Sequence, residues 1–134
     1  MRNAVIPTFQ YHDAPAAIDF LVEAFGFQPH AVFEEDGVVS HAQLTFGDGM
    51  VMLGSRSESG YGRMVATPRE TGKPTAGVYI TVDDPFAHAE RARAAGAKIV
   101  MEPEEQDYGG ANYAALDPEG NIWNFGSYDP WATP

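Results

Sequence analysis

Two stretches of this 134-residue chain carry the same punctuation about 71 residues apart. Asp13 matches Asp84, Gly26 matches Gly96, Gly49 matches Gly120, and Gly54-Ser55 matches Gly126-Ser127, with offsets between 70 and 72. Identity between the stretches is low, but the order of helix caps, turns and strands is shared. An internal repeat of this size restricts the chain to an architecture built from two copies of one supersecondary unit.

In the first copy, Ile6 to Gln10 reads as a strand that runs out at Asp13. Asp13 is a good helix N-cap, and Pro15 is tolerated in a first helical turn. Ile18, Leu21, Val22 and Phe25 follow at the spacing of an amphipathic helix, which Gly26 closes. Gln28 to Glu34, Val38 to Phe46 and Met50 to Gly54 read as strands, separated by turns at Glu35-Asp36-Gly37 and Gly47-Asp48-Gly49. The second copy repeats this order. Gly77 to Val82 is a strand, and Asp84-Pro85 opens a helix with Phe86, Ala89 and Ala92 on its apolar face. Lys98 to Glu102, Asn112 to Leu116 and Ile122 to Ser127 supply three more strands, the last entered through the turn Asp117-Pro118-Glu119-Gly120-Asn121. The expected fold is α+β: two tandem βαβββ modules forming a curved, cup-shaped sheet with helices on the outside. The chain reads as a single domain over 1–134, with module one at 5–55, a linker at 56–75, module two at 76–127 and a tail at 128–134.

Side chains alternate across a strand, so each strand has two faces. One set of faces is apolar: Val5 and Phe9; Ala42, Leu44 and Phe46; Val51 and Leu53; Val78, Ile80 and Val82; Trp123 and Phe125. These are expected under the helices. The other set carries Thr8, Gln10, His41, Gln43, Thr45, Met50, Met52, Tyr79, Thr81, Asn112 and Asn124. It is neutral and polar, although the formal charge of the chain is −11. A fully solvated face in so acidic a chain would carry Asp, Glu or Lys, so this one is expected to line an enclosed concave surface. An oligomer interface is the competing expectation.

The absence of cysteine excludes disulfide frameworks, thiolate zinc sites and cysteine nucleophiles. No apolar run reaches the length of a membrane span, and the N-terminal residues lack the pattern of a signal peptide, so a cytoplasmic location is expected. The negative charge disfavours nucleic acid and is compatible with a cationic small molecule, with plain solubility as the competing explanation. No phosphate loop or metal-spaced histidine cluster occurs.

The paired modules, the run Asp117-Pro118-Glu119-Gly120-Asn121-Ile122-Trp123 and the terminal Tyr128-Asp129-Pro130-Trp131 resemble the vicinal oxygen chelate superfamily. That group contains glyoxalase I, extradiol dioxygenases, fosfomycin-resistance enzymes and bleomycin-resistance proteins. The resemblance spans the whole chain and is greatest to the bleomycin-resistance-like branch. It implies a homodimer and, in metal-dependent members, His, Gln or Glu ligands on the first and fourth strands of each module. Those positions here are Ile6, Met52, Gly77 and Asn124. Ile and Gly cannot ligate, and a thioether and a lone carboxamide are weak ligands for hard divalent ions. No metal and no cofactor are therefore expected.

The expected ligand-binding residues are Thr8, Gln10, His41, Gln43, Met52, Tyr61, Tyr79, Tyr108, Asn112 and Asn124, with no catalytic residue. Tyr61 belongs to the linker, which is expected either to cover the cup or to tether the modules. Tyr108 offers a flat ring beside the acidic cluster of Glu102, Glu104, Glu105 and Asp107. Glu34-Glu35-Asp36 is its counterpart in module one. The leading reading is a metal-free protein that sequesters a cationic or aromatic ligand, an antibiotic among the candidates. The alternatives are a glyoxalase- or dioxygenase-like lyase, isomerase or oxygenase with an unusual metal site around His41, and an interaction module whose neutral face meets another protein.

Overall fold

The computed structural model describes residues 1–132. The first module runs β1 (Thr8–Tyr11), α1 (Ala14–Phe20), β2 (Gln28–Glu35), β3 (Val38–Phe46) and β4 (Gly49–Ser55). The second runs β5 (Gly77–Thr81), α3 (Pro85–Ala94), β6 (Lys98–Glu105), β7 (Ala111–Leu116) and β8 (Ile122–Gly126). Each module makes one four-stranded sheet, ordered β1-β4-β3-β2 and β5-β8-β7-β6. The first strand of each pairs parallel with the fourth and the remaining pairs are antiparallel. The sheets are open, and the fold is α+β with two tandem modules, as the repeat predicts.

The two helices start with the same device. Asp13 and Asp84 are N-caps whose carboxylates accept from the amides of Ala16 and Ala87, each at 3.1 Å, with a proline in the first turn of both helices. α1 then widens into a π-helical turn over Leu21–Phe25 and stops at Gly26, whose φ of 92° a side chain would strain. The carbonyls exposed by that turn are taken up by α3. Arg91 donates to the carbonyl oxygens of Glu23 (3.0 Å) and Val22 (3.2 Å), and His88 Nε2 donates to that of Phe25 (2.8 Å). α3 comes this close because its buried face is Pro85, Ala89 and Ala92.

The core is one cluster fed by both modules. Trp123, Tyr11, Tyr113, Phe25, Phe125, Leu21 and Leu44 are fully buried in it. Trp123 of β8 meets Phe9 of β1 at 5.2 Å and Phe27 at 5.6 Å between ring centroids. Phe125 meets Phe25 at 4.8 Å and stacks on Tyr113 at 5.3 Å. Below the aromatic layer the turn between β7 and β8 is tied to module one by two buried carboxylates. Asp117 accepts from Tyr11 Oη (2.6 Å), Trp123 Nε1 (3.1 Å) and Asn121 Nδ2 (3.2 Å), and from the amides of Glu119 and Asn121. Glu119 accepts from the amides of His12 (2.7 Å) and Asp13 (2.8 Å), where β1 passes into α1. Burial and the neighbouring Asp117 charge hold the Tyr11 hydroxyl well above its ordinary pKa, so it stays a donor.

Four expectations are corrected. β1 starts at Thr8 rather than Ile6, because Pro7 has no amide for the ladder and only its carbonyl reaches Met52. Val5 therefore lies beyond the sheet and is 95% exposed instead of covered by a helix. Phe86 is 47% exposed, because Pro85 takes the place on the buried face that the spacing assigned to Phe86. β6 continues to Glu105, with Glu104 opposite Asn112, so the acidic cluster belongs largely to an edge strand. Charges on an edge block pairing with another sheet. The linker carries a 3-10 turn at Gly60–Met64 and α2 at Pro68–Thr71.

His88 gives a pH prediction. Its Nε2 must donate to a carbonyl, so Nδ1 accepts from Tyr113 Oη at 2.5 Å, which requires a neutral ring. Burial, then the nearby Arg91 charge, hold its pKa below 6.5, opposed by the bond to Phe25. The unfolded chain binds the proton first, so the contribution of His88 is present above pH 6.5 and is lost as pH falls through the folded value. Unfolding measured between pH 5 and 8 should show wild type losing more stability on acidification than His88→Gln. Parallel profiles would contradict this.

Candidate ligand cavity

The uncovered face of the first sheet and the linker line a half-open cavity of about 710 Å³. Thr8 and Gln10 of β1, His41 of β3 and Met52 of β4 form its floor, and Tyr61 and Met64 of the linker form one wall. Strand parity positions the floor. Phe9, Ala42 and Leu53 turn into the core, so their neighbours turn outward.

Arg56 holds the linker in place from behind the cavity lining. It follows β4 directly, and its side chain is only 13% exposed. Its Nη1 donates to Gln10 Oε1 (2.7 Å) and to the carbonyls of Gly62 (2.7 Å) and Ser57 (2.5 Å). Its Nη2 reaches the Val65 carbonyl at 3.3 Å, and its Nε reaches Glu70 Oε2 at 3.1 Å. Glu70 closes a capping box with Thr67, and these partners hold its carboxyl below the usual range. Gly62 allows the tight coil, since a Cβ there would overlap the Ser57 carbonyl. The His12 ring meets Thr67 Oγ1 at 2.8 Å and anchors the far end.

Thr8, Gln10, His41, Met52 and Tyr61 are thus brought together in one cavity. Gln43 pairs with Met52 across β3 and β4 but does not line it. Tyr79, Tyr108, Asn112 and Asn124 form a separate group on the second sheet. Tyr79 lies over Gly126 and donates to the Tyr128 carbonyl at 2.7 Å. Asn112 donates to Tyr108 Oη at 2.9 Å and accepts from Gln106 at 2.9 Å, and Asn124 donates to the Val78 carbonyl at 3.3 Å. One cup containing all ten residues is therefore not formed within the chain. Met64, Thr67, Thr71, Lys73 and Asn121 also line the cavity and were missed. Only Thr67 carried a signal, through the capping-box spacing to Glu70.

The wall contains no Asp or Glu, and Lys73 is its one formally charged residue. The clusters Glu34-Glu35-Asp36 and Glu102-Glu104-Glu105-Asp107 do not line it, so none of their carboxylates meets a ligand there directly. His41 stacks on Phe33 at 6.4 Å, and among the described residues no carboxylate is hydrogen-bonded to it to make it a base.

The family's metal positions do not form a donor set. Ile6 and Gly77 offer no ligand atom, and a Cβ on Gly77 would lie 3.1 Å from Asn124 Nδ2, so the Asn124 amide fills that space. Among the described residues no three His, Asp or Glu side chains converge. The residues present do not fit the metal centre of metal-dependent relatives.

Residues 7–125 match the sequence profile of the Glyoxalase/Bleomycin resistance protein/Dioxygenase superfamily. The chain is 34% identical over 127 residues to the uncharacterised protein Rv0887c of Mycobacterium tuberculosis, covering 94% of this chain and 75% of that one. The crystal structure of TioX from Micromonospora sp. ML1 superposes with a TM-score of 0.73 at 30% identity, over 92% of this chain and 94% of TioX. The fosfomycin resistance protein FosX of Mesorhizobium loti shares the fold, with a TM-score of 0.68 at 14% identity over 98% of this chain and 97% of FosX. The chain belongs to the Glyoxalase/Bleomycin resistance protein/Dioxygenase superfamily.

Proposed function

We propose that the protein binds and sequesters an aromatic small molecule without a metal, in the manner of bleomycin-resistance proteins. The observation that carries this reading is the cavity between the first sheet and the linker. Its volume of about 710 Å³ suits a drug-sized ligand, and its wall mixes Met52, Tyr61 and Met64 with a few neutral polar groups. The cationic half of the expected ligand class is dropped, because the wall offers no carboxylate. The unfit metal positions argue against the glyoxalase- or dioxygenase-like alternative, and nothing around His41 favours it.

The reading includes a homodimer. Tyr79, Tyr108 and Asn124 project from the open face of the second sheet, and a second copy would set that face against the first sheet of its partner. Cytoplasmic location is part of the same reading.

A thermal-shift panel of aromatic antibiotics and polycyclic metabolites tests it, run with and without chelator. A true ligand at one hundred times its dissociation constant stabilises the native state by about 2.7 kcal/mol. Stabilisation that survives chelator is expected, together with twice the chain mass in light scattering. Stabilisation abolished by chelator, or by no compound at all, would defeat the reading.

A further inference from the structure

We infer that the cavity grips its aromatic ligand through a hydrogen-bond acceptor on that ligand, a carboxylate or a ketone-like carbonyl, docked on the Gln10 amide nitrogen. The inference rests on the binding reading above and names its ligand class.

The orientation of Gln10 follows from chemistry. Two donors converge on one end of its carboxamide: Arg56 Nη1 at 2.7 Å and the Ser57 amide at 3.4 Å. Only the oxygen can face two donors, so the NH₂ group faces away from them. Gln10 lines the cavity, and among the described residues no acceptor takes its Nε2. A guanidinium locked by four other acceptors thus holds a neutral donor toward the ligand. Preorganised donors of this kind recognise acceptors without a reorganisation penalty.

The rest of the wall agrees. Its one formal charge is the cation of Lys73, and it has no carboxylate to neutralise a bound cation. Asn121 donates one of its two side-chain N–H groups to Asp117 and adds only a neutral amide to the wall. The acidic side chains behind the net charge of −11 do not line this cavity, and ionic strength screens charges that lie farther off than about 8 Å. The field of the whole chain and the chemistry of the cavity therefore point to ligands of opposite kinds, and at contact distance the cavity decides.

Three probes sharing one ring separate the possibilities: 1-naphthoate, 1-acetonaphthone and 1-naphthylmethylammonium, titrated calorimetrically into the full chain. The carboxylate and the ketone should bind at least about tenfold more tightly than the cation. Gln10→Glu keeps an oxygen for Arg56 and replaces the donor by an acceptor, so both acceptor probes should weaken about tenfold or more with little change in melting temperature. Lys73→Gln should weaken the carboxylate alone.

Equal or tighter binding of the cation would overturn the inference and leave the binding reading standing. So would unchanged affinity of both acceptor probes in Gln10→Glu, or failure of all three probes while a compound of the antibiotic panel binds. Failure of the probes and the panel together would remove the binding reading itself.

Discussion

Asp117→Ala is expected to lower the free energy of unfolding by about 3 to 5 kcal/mol, the largest effect of any single substitution considered. Asp117 is 5% exposed and receives five hydrogen bonds, two of them from the buried side chains of Tyr11 and Trp123. Removing the carboxylate leaves both donors buried without a partner. It also releases the turn that presents Glu119 to the start of α1. Tyr11→Phe removes one donor and no acceptor, so its cost should be nearer about 1 kcal/mol. Urea unfolding of the two variants checks the ranking. Equal effects would mean that the turn is held by the aromatic packing of Trp123 and not by the carboxylate.

Arg56→Ala should unseat the linker while leaving the two sheets folded. One guanidinium meets five acceptors that join β1, the 3-10 turn and α2. Truncation leaves those carbonyls to water and frees Gln10 to rotate. The linker should then be cleaved readily by added protease between residues 56 and 74, and ligand affinity should fall about tenfold or more as the closed state becomes a minor one. The denaturation midpoint of the body should move little, because the core cluster contains no linker residue. Protection from cleavage equal to wild type would show that the Thr67 capping box and the His12 contact hold the linker without Arg56.

The repeat made most of the fold legible. Asp13 and Asp84 cap their helices by the same bond, and each first strand pairs parallel with its fourth. Strand parity also placed Thr8, Gln10, His41 and Met52 on one uncovered face. These features depend on neighbours within a few residues or on a period of two. What was not legible depends on contacts across the chain. Arg56 meets Gln10 from 46 positions away, and Asp117 meets Tyr11 from 106. No local pattern announces either pairing. The same limit separated nine of the ten expected site residues into two groups and left Gln43 outside both, since parity says which face a side chain takes and not which faces meet. Composition misled on charge, because the acidic residues that dominate the sum sit on edge strands and surfaces outside the cavity.

The proposed ligand site works without the family's metal, and the metal content of the purified protein after incubation with Zn, Ni, Mn or Fe(II) and removal of free ion tests this directly. Far less than one ion per chain is expected with every metal, in wild type and in His41→Ala alike. One tightly held ion per chain, lost on His41→Ala, would contradict it and make the site a metal centre.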